Sequence, residues 1–185
     1  GTSFAPPPPA AGRVELLRRW LRTFGPATLD DVKWWTGWSM RDTKVAVASV
    51  GAVPVVLEGS DGAEGLVLED DERPTPKPRP WVALLPALDP TTMGWKQRDW
   101  YLGGHGAALF DTNGNAGPTV WSNGAVIGGW GQRADGSVAV ELLEQVDAAT
   151  DKRVRAEVAR LERWMGDARV KPRFRTPLER ALSAT

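Results

Sequence analysis

The chain has no cysteine, a single histidine (His105) and a single tyrosine among its 185 residues. The lack of cysteine excludes disulfides and thiolate metal sites and is in keeping with a cytoplasmic setting. One imidazole excludes a multi-histidine metal cage and leaves little for triad chemistry, so no metal or other cofactor is expected. No apolar run approaches the roughly 20 residues of a membrane-spanning helix, and a membrane partner is not expected. The N-terminus shows no basic region followed by an apolar core, so no secretory signal is expected either. Excess charge is missing too: 23 Lys and Arg balance 23 Asp and Glu. The chain-wide positive field of a strong nonspecific nucleic-acid binder is therefore absent, and any such binding must come from local patches.

Tryptophan and the two structure-breaking residues are plentiful instead. Ten Trp are expected mainly as core or interface anchors and not as base-stacking platforms. The 185 residues are enough for one large domain or two small ones, and a hydrophobic share of 42% is enough for ordinary cores. Gly1-Thr2-Ser3 stands where an initiator Met would, and Pro6–Pro9 reads as an extended polyproline spacer. A chain that opens on a linker, residues 1–11, is expected to be part of a longer protein whose N-terminal portion is its partner.

The first half reads as helix, helix, helix, hairpin. Arg13–Phe24 places Val14, Leu17, Leu21 and Phe24 on one face. Gly25-Pro26 ends that helix, and Thr28-Leu-Asp-Asp31 supplies a capping-box-like start for a second, through about Trp35. Thr36-Gly37-Trp38 breaks it, and Ser39-Met-Arg-Asp42 repeats the cap for a third helix running to about Val50. Two capped helices around a short Gly-containing turn have helix-turn-helix spacing. Val53–Leu57 and Gly65–Leu68 follow as short strands around a turn-forming loop, which completes the order of a winged helix over residues 12–70.

Glu69–Pro80 is a charged, alternating-proline stretch, read as a stiff solvated linker, with residues 71–80 at its heart. Beyond it, residues 81–185 read as a β-rich domain. Trp81–Leu85 is a strand stopped by Pro86, Met93–Leu102 a short helix or ordered loop, and Gly103-Gly-His-Gly106 a break. Thr119–Ser122 and Ala125–Trp130 flank Asn123-Gly124, the dipeptide that a type I′ turn demands. Val138–Leu143 adds a third strand of a meander. Asp147 then caps an amphipathic helix with Val154, Val158, Leu161 and Met165 inward and a Gly166 stop, placed to close one face of the sheet. The tail Arg169–Arg180 is basic and mostly unpatterned. The fold class is α+β: a winged helix followed by a small antiparallel sheet or barrel with a closing helix.

For chemistry, a helix-turn-helix presents the N-terminal polar residues of its third helix to the major groove. Here these are Arg41, Asp42, Thr43 and Lys44, with Arg41 suited to a guanine edge or a phosphate and Lys44 to a phosphate. Further cationic candidates are Arg18, Arg19 and Arg22 on the first helix and Arg173 and Arg175 in the tail. The wing opposes this: Glu58, Asp61, Glu64, Glu69, Asp70, Asp71 and Glu72 would be repelled by phosphates within a Debye length of about 8–10 Å. No catalytic residue is identified. His105 reads as a loop histidine, Asp89, Asp99 and Asp111 sit where Asp makes turns and caps, and Gly128-Gly-Trp-Gly131 lacks phosphate-loop spacing.

Several segments together carry a family resemblance: Leu17-Arg-Arg-Trp-Leu-Arg-Thr-Phe-Gly-Pro-Ala-Thr28 with Trp34-Trp-Thr-Gly-Trp38; Leu84-Leu-Pro-Ala-Leu-Asp-Pro90; Gly117-Pro-Thr-Val-Trp121 with Gly128-Gly-Trp130; and Pro172-Arg-Phe-Arg-Thr-Pro177. From about residue 12 onward the chain resembles the winged-helix DNA-binding-domain family that includes the AlkZ-like DNA glycosylases. That resemblance implies tandem winged helices followed by a β-rich domain, and a parent protein that removes alkylated bases and unhooks crosslinks in DNA. Only the C-terminal half of such a protein is matched. The family's Gln-x-Gln pair, which lies in its N-terminal part, has no counterpart among Gln97, Gln132 and Gln145. The expected role is a non-catalytic DNA-binding portion of a glycosylase-type protein acting on double-stranded DNA; the alternative is a protein-interaction or scaffold module without nucleic-acid contact.

Overall fold

The computed structural model of the chain describes residues 8–58 and 62–184. Gly1–Pro7 and the loop residues 59–61, Asp61 of the acidic wing among them, lie outside the described residues. The chain divides into two compact units: residues up to Pro76 with the returning segment Gly94–Gln97, and Lys77–Met93 with Arg98 onward.

In the first unit, α1 (Pro9–Phe24), α2 (Leu29–Thr36) and α3 (Met40–Val50) precede a hairpin of β1 (Ala52–Val56) and β2 (Glu64–Leu68). Helix α1 begins four residues before the expected Arg13. Pro9 stands at its first position, where a proline's missing N–H costs no helical hydrogen bond. Leu17, Trp20, Leu21 and Phe24 of α1 close on Val32, Ala46, Val50, Leu66 and Leu68. Ala27, in the turn before α2, exchanges both backbone hydrogen bonds with Leu66 (2.8 and 3.2 Å), which adds a third short rung to the hairpin.

Helix α2 starts with a complete capping box. The Asp31 amide donates to Thr28 Oγ1 (3.1 Å), while the Thr28 amide and hydroxyl donate to Asp31 Oδ2 (2.9 and 2.7 Å). The other carboxyl oxygen of Asp31 accepts the amides of Lys96 (2.8 Å) and Gln97 (3.2 Å). Asp31 is 3% exposed, so four hydrogen bonds satisfy a buried acceptor. The same segment sets the Trp95 ring edge-on to Phe24 (5.4 Å, 90°) and its indole N–H on the Phe24 carbonyl (2.9 Å).

The second unit is built on an antiparallel sheet in the order β3 (Val82–Leu85), β4 (Thr119–Ser122), β5 (Ala125–Gln132), β6 (Val138–Leu142). The β4–β5 turn is of the expected kind, with Asn123 at φ 51° and Gly124 at φ 94°. The β3 and β6 edges do not pair with each other, so the sheet is open and the barrel alternative is corrected. Helices occupy the faces instead. α6 (Ala148–Met165), capped by Asp147, lays Val154, Val158, Leu161 and Met165 on Leu84, Val120, Ile127, Trp130 and Val138.

The opposite face meets α7 (Pro177–Ala184), which overturns the reading of the tail as unpatterned. Trp130 points toward α6, so its neighbours on β5 face the other way. A Cβ on Gly129 would stand 2.7 Å from Leu178 of α7, and the glycine is what lets that helix approach. Met93–Leu102 is helical only at its end, as α4 (Asp99–Leu102), and the Gly-rich break is followed by one further turn, α5 (Gly106–Leu109). Trp20, Trp121 and Trp130 are buried and Trp38, Trp81 and Trp95 half-buried, whereas Trp100 and Trp164 are 64% and 79% exposed.

Asp31→Ala is expected to destabilise the protein by about 2–3 kcal/mol, read as a lower urea midpoint at unchanged slope, because it strands three amides and removes a cap. A loss below about 0.5 kcal/mol would contradict that role. Gly129→Ala is expected to cost about 1–3 kcal/mol by overpacking against Leu178, with wild-type stability as the opposing result. Asp147 accepts the Thr150 amide (2.6 Å), and that backbone bond holds its carboxyl below the usual range. Its contribution is present above the unfolded carboxyl range, about pH 3.9, and is lost as pH falls through the depressed value. Asp147→Ala should therefore weaken the protein at neutral pH, and its urea midpoint should converge with that of the wild type as pH falls through the depressed carboxyl range.

Candidate nucleic-acid interface

The cationic candidates fall into two groups once their partners are seen. On α1, Arg13 pairs with Asp42 (3.0 Å), Arg19 with Glu15 (2.7 Å) and Arg22 with Asp70 (2.7 Å). The Arg22 bond raises the guanidinium above its ordinary value and lowers the Asp70 carboxyl, each through their mutual hydrogen bond. Arg18 is exposed and lies within the electrostatic reach of Asp70. The basic face of α1 is thus largely answered by carboxylates of the same unit.

Helix α3 differs. Ser39 Oγ accepts the Asp42 amide (3.1 Å), Gly37 closes α2 in the left-handed conformation, and residues 37–39 form the turn between the two helices. Arg41, Lys44, Val45, Ala48 and Ser49 are exposed at helical spacing, one face of α3 turned to solvent. Arg41 and Lys44 form no ion pair among the described residues. Val45 between them is 58% exposed.

Thr43 is a correction. It is fully buried, on the face with Ala46 and Val50, and its hydroxyl donates to the Ser39 carbonyl (2.9 Å). It cannot reach a groove. On α3, position 43 turns inward while 41 and 44 turn outward.

In the second unit, Arg173 is exposed with its guanidinium 5.6 Å from the Phe174 ring centroid. Arg175 is instead held inward by both carboxyl oxygens of Glu179 (2.5 and 3.1 Å) and by the Ser183 hydroxyl. Glu179 is 3% exposed. Its amide is also capped by Thr176 Oγ1 (3.3 Å). The missed helix α7 therefore had a signal: Thr176-Pro-Leu-Glu179 is a capping sequence with proline at the first helical position.

The acid–base candidates sit in turns. Asp111 accepts the Asn113 and Asn115 amides (2.9 and 2.8 Å) and the Asn115 side-chain amide (2.9 Å), which together lower its carboxyl, the side-chain bond foremost. Asp89 accepts the Thr91 amide (2.8 Å), and Asp99 opens α4. His105 is half-buried with Nε2 3.0 Å from Glu144. Among the described residues no group of three or more His, Asp or Glu is placed to hold a metal, and no helix is long and apolar enough to cross a membrane.

The family model for AlkZ-like DNA glycosylases matches residues 2–164. No curated protein matches the chain. Among solved structures, the chain is similar to the DNA glycosylase AlkZ of Streptomyces sahachiroi, with a TM-score of 0.71 and 22% identity. The match covers 86% of this chain and 45% of that one, so this chain spans less than half of the solved protein, and at that identity the likeness is one of fold. With a family model spanning both compact units, the chain belongs to the AlkZ-like DNA glycosylase family.

Proposed function

We propose that this chain is the DNA-binding, non-catalytic C-terminal portion of an AlkZ-like glycosylase, and that its first unit is a winged helix contacting double-stranded DNA through α3. One observation carries the reading: α3 exposes Arg41 and Lys44 on one face with no carboxylate partner, while Arg13, Arg19 and Arg22 of the same unit are paired. Unpaired cations are the ones available to phosphates and to guanine edges. The element order and the Ala27–Leu66 rung support a winged helix, in which β1–β2 is the wing. That wing carries Glu58, Glu64, Glu69, Asp70, Asp71 and Glu72 among the described residues and contributes no phosphate contact. The groups that cleave the glycosidic bond belong to another part of the parent protein, since no Gln-x-Gln pair occurs here.

Binding of a labelled DNA duplex, followed by anisotropy across a salt series, tests this. The wild-type chain is expected to bind at about 50 mM salt with an affinity that falls steeply as salt rises. Arg41→Glu with Lys44→Glu should weaken binding at least about tenfold, since two attractions become repulsions. Unchanged affinity in that variant would remove α3 from the contact, and no binding by the wild type would favour a scaffold role instead.

A further inference from the structure

The second unit contains a basic recess of about 260 Å³ whose walls include Gln132, Arg133, Arg169, Lys171, Arg175 and Glu179. It lies where the β5–β6 turn meets the segment after α6 and the start of α7. Its charges are unequal in availability. Arg175 is neutralised by its two-oxygen pairing with Glu179. Asp135, a carboxylate within electrostatic reach of Arg133 and Arg169, accepts the Ser137 amide (2.9 Å) and hydroxyl (2.7 Å) at Oδ1 and offsets one of these charges. Positive charge remains in excess.

Arg169 is held by carbonyls and not by a carboxylate. Its guanidinium donates to Asp135 O (2.8 Å), Gly166 O and Ala168 O (both 3.1 Å) and Ala134 O (3.4 Å). It lies so close over the β5–β6 turn that a Cβ on Gly136 would stand 2.4 Å from it. Neutral carbonyls fix the group in place without taking up its charge. Gln132 braces the same wall, accepting the Val170 amide (2.9 Å) and donating to Ala168 O (3.0 Å). Arg133 Nε is buried with no hydrogen-bond partner among the described residues. Arg133 and the exposed Lys171, neither in an ion pair among the described residues, stand with the fixed Arg169 around one recess, a set of donors and charge complementary to a tetrahedral oxyanion.

We infer that this recess is a second DNA contact that takes one backbone phosphodiester, with Arg133 and Lys171 as its donors and Arg169 as a fixed positive charge. The inference rests on the DNA-binding reading and deepens it, because it lies in the other unit and involves none of the α3 residues. Phosphate contacts of this kind position a protein on the duplex without reading sequence.

The test compares the slope of log affinity against log salt for wild type, Lys171→Gln, Arg133→Gln with Lys171→Gln, and a control with Lys152→Gln and Arg163→Gln on the exposed surface of α6. Losing the one phosphate contact lowers the slope by about 0.9, so the double variant should lose about 0.9 and the Lys171 variant a measurable part of that, with the control unchanged. Lys171→Gln alters an exposed side chain and keeps the test valid if the Arg133 change disturbs folding. Variants that still bind duplex with the wild-type slope would overturn the recess and leave the α3 reading standing. Absence of duplex binding by the wild type at about 50 mM salt would overturn both. Inorganic phosphate shifting the Val170 and Lys171 amide resonances while the duplex slope stays unchanged would assign the recess to free phosphate and overturn the phosphodiester.

Discussion

The carboxyl group of Asp31 is the constraint on which the first unit turns. One oxygen closes the capping box of α2 with Thr28, and the other accepts two amides from residues 65 and 66 positions further along the chain. With Lys96 and Gln97 held there, Trp95 is delivered to Phe24 at the end of α1. Helix α2 ends at Gly37 in the left-handed conformation, and α3 begins directly after at its own Ser39 cap. A buried acceptor with every bond made is rigid, since a shift of any partner exposes an unsatisfied group.

Charge in this molecule is a matter of pairing, not of totals. A chain with 23 positive and 23 negative residues has no overall field, yet the fold sorts its cations. Arg13 and Arg22 meet carboxylates 29 and 48 residues away. Arg175 is taken up by Glu179 within one helical turn. Among the described residues, the cations without an ion pair include Arg41 and Lys44 on α3 and Arg133 and Lys171 at the recess. Exposed ion pairs can exchange partners, but an unpaired cation has no competing carboxylate to give up on meeting a phosphate.

Local signals carried well from sequence to structure. Thr28-x-x-Asp31 and Ser39-x-x-Asp42 mark two helix starts, Asp147 marks a third, and Asn123-Gly124 fixes a hairpin, because each is decided within four residues. Thr176-x-x-Glu179 is the same kind of signal, obscured by the surrounding basic residues. Long-range features were not legible. No periodicity indicates that Gly94–Gln97 joins the first unit, because the acceptor that holds it is a single side chain far away in sequence. Likewise an open sheet and a closed one share the same strands, and the difference lies in whether the two edge strands pair, which β3 and β6 do not. For the candidate site, Arg41 and Lys44 were read from their position in a helix-turn-helix, while the inward turn of Thr43 and the partners of Arg13, Arg19, Arg22 and Arg175 required the fold.

The central claim is that the exposed face of α3 meets DNA. Amide chemical-shift mapping of the chain titrated with an unlabelled duplex addresses it residue by residue. The account predicts progressive shifts concentrated at Arg41, Lys44, Val45, Ala48 and Ser49. Shifts that leave those residues untouched, or a spectrum unaltered by saturating duplex, would contradict it.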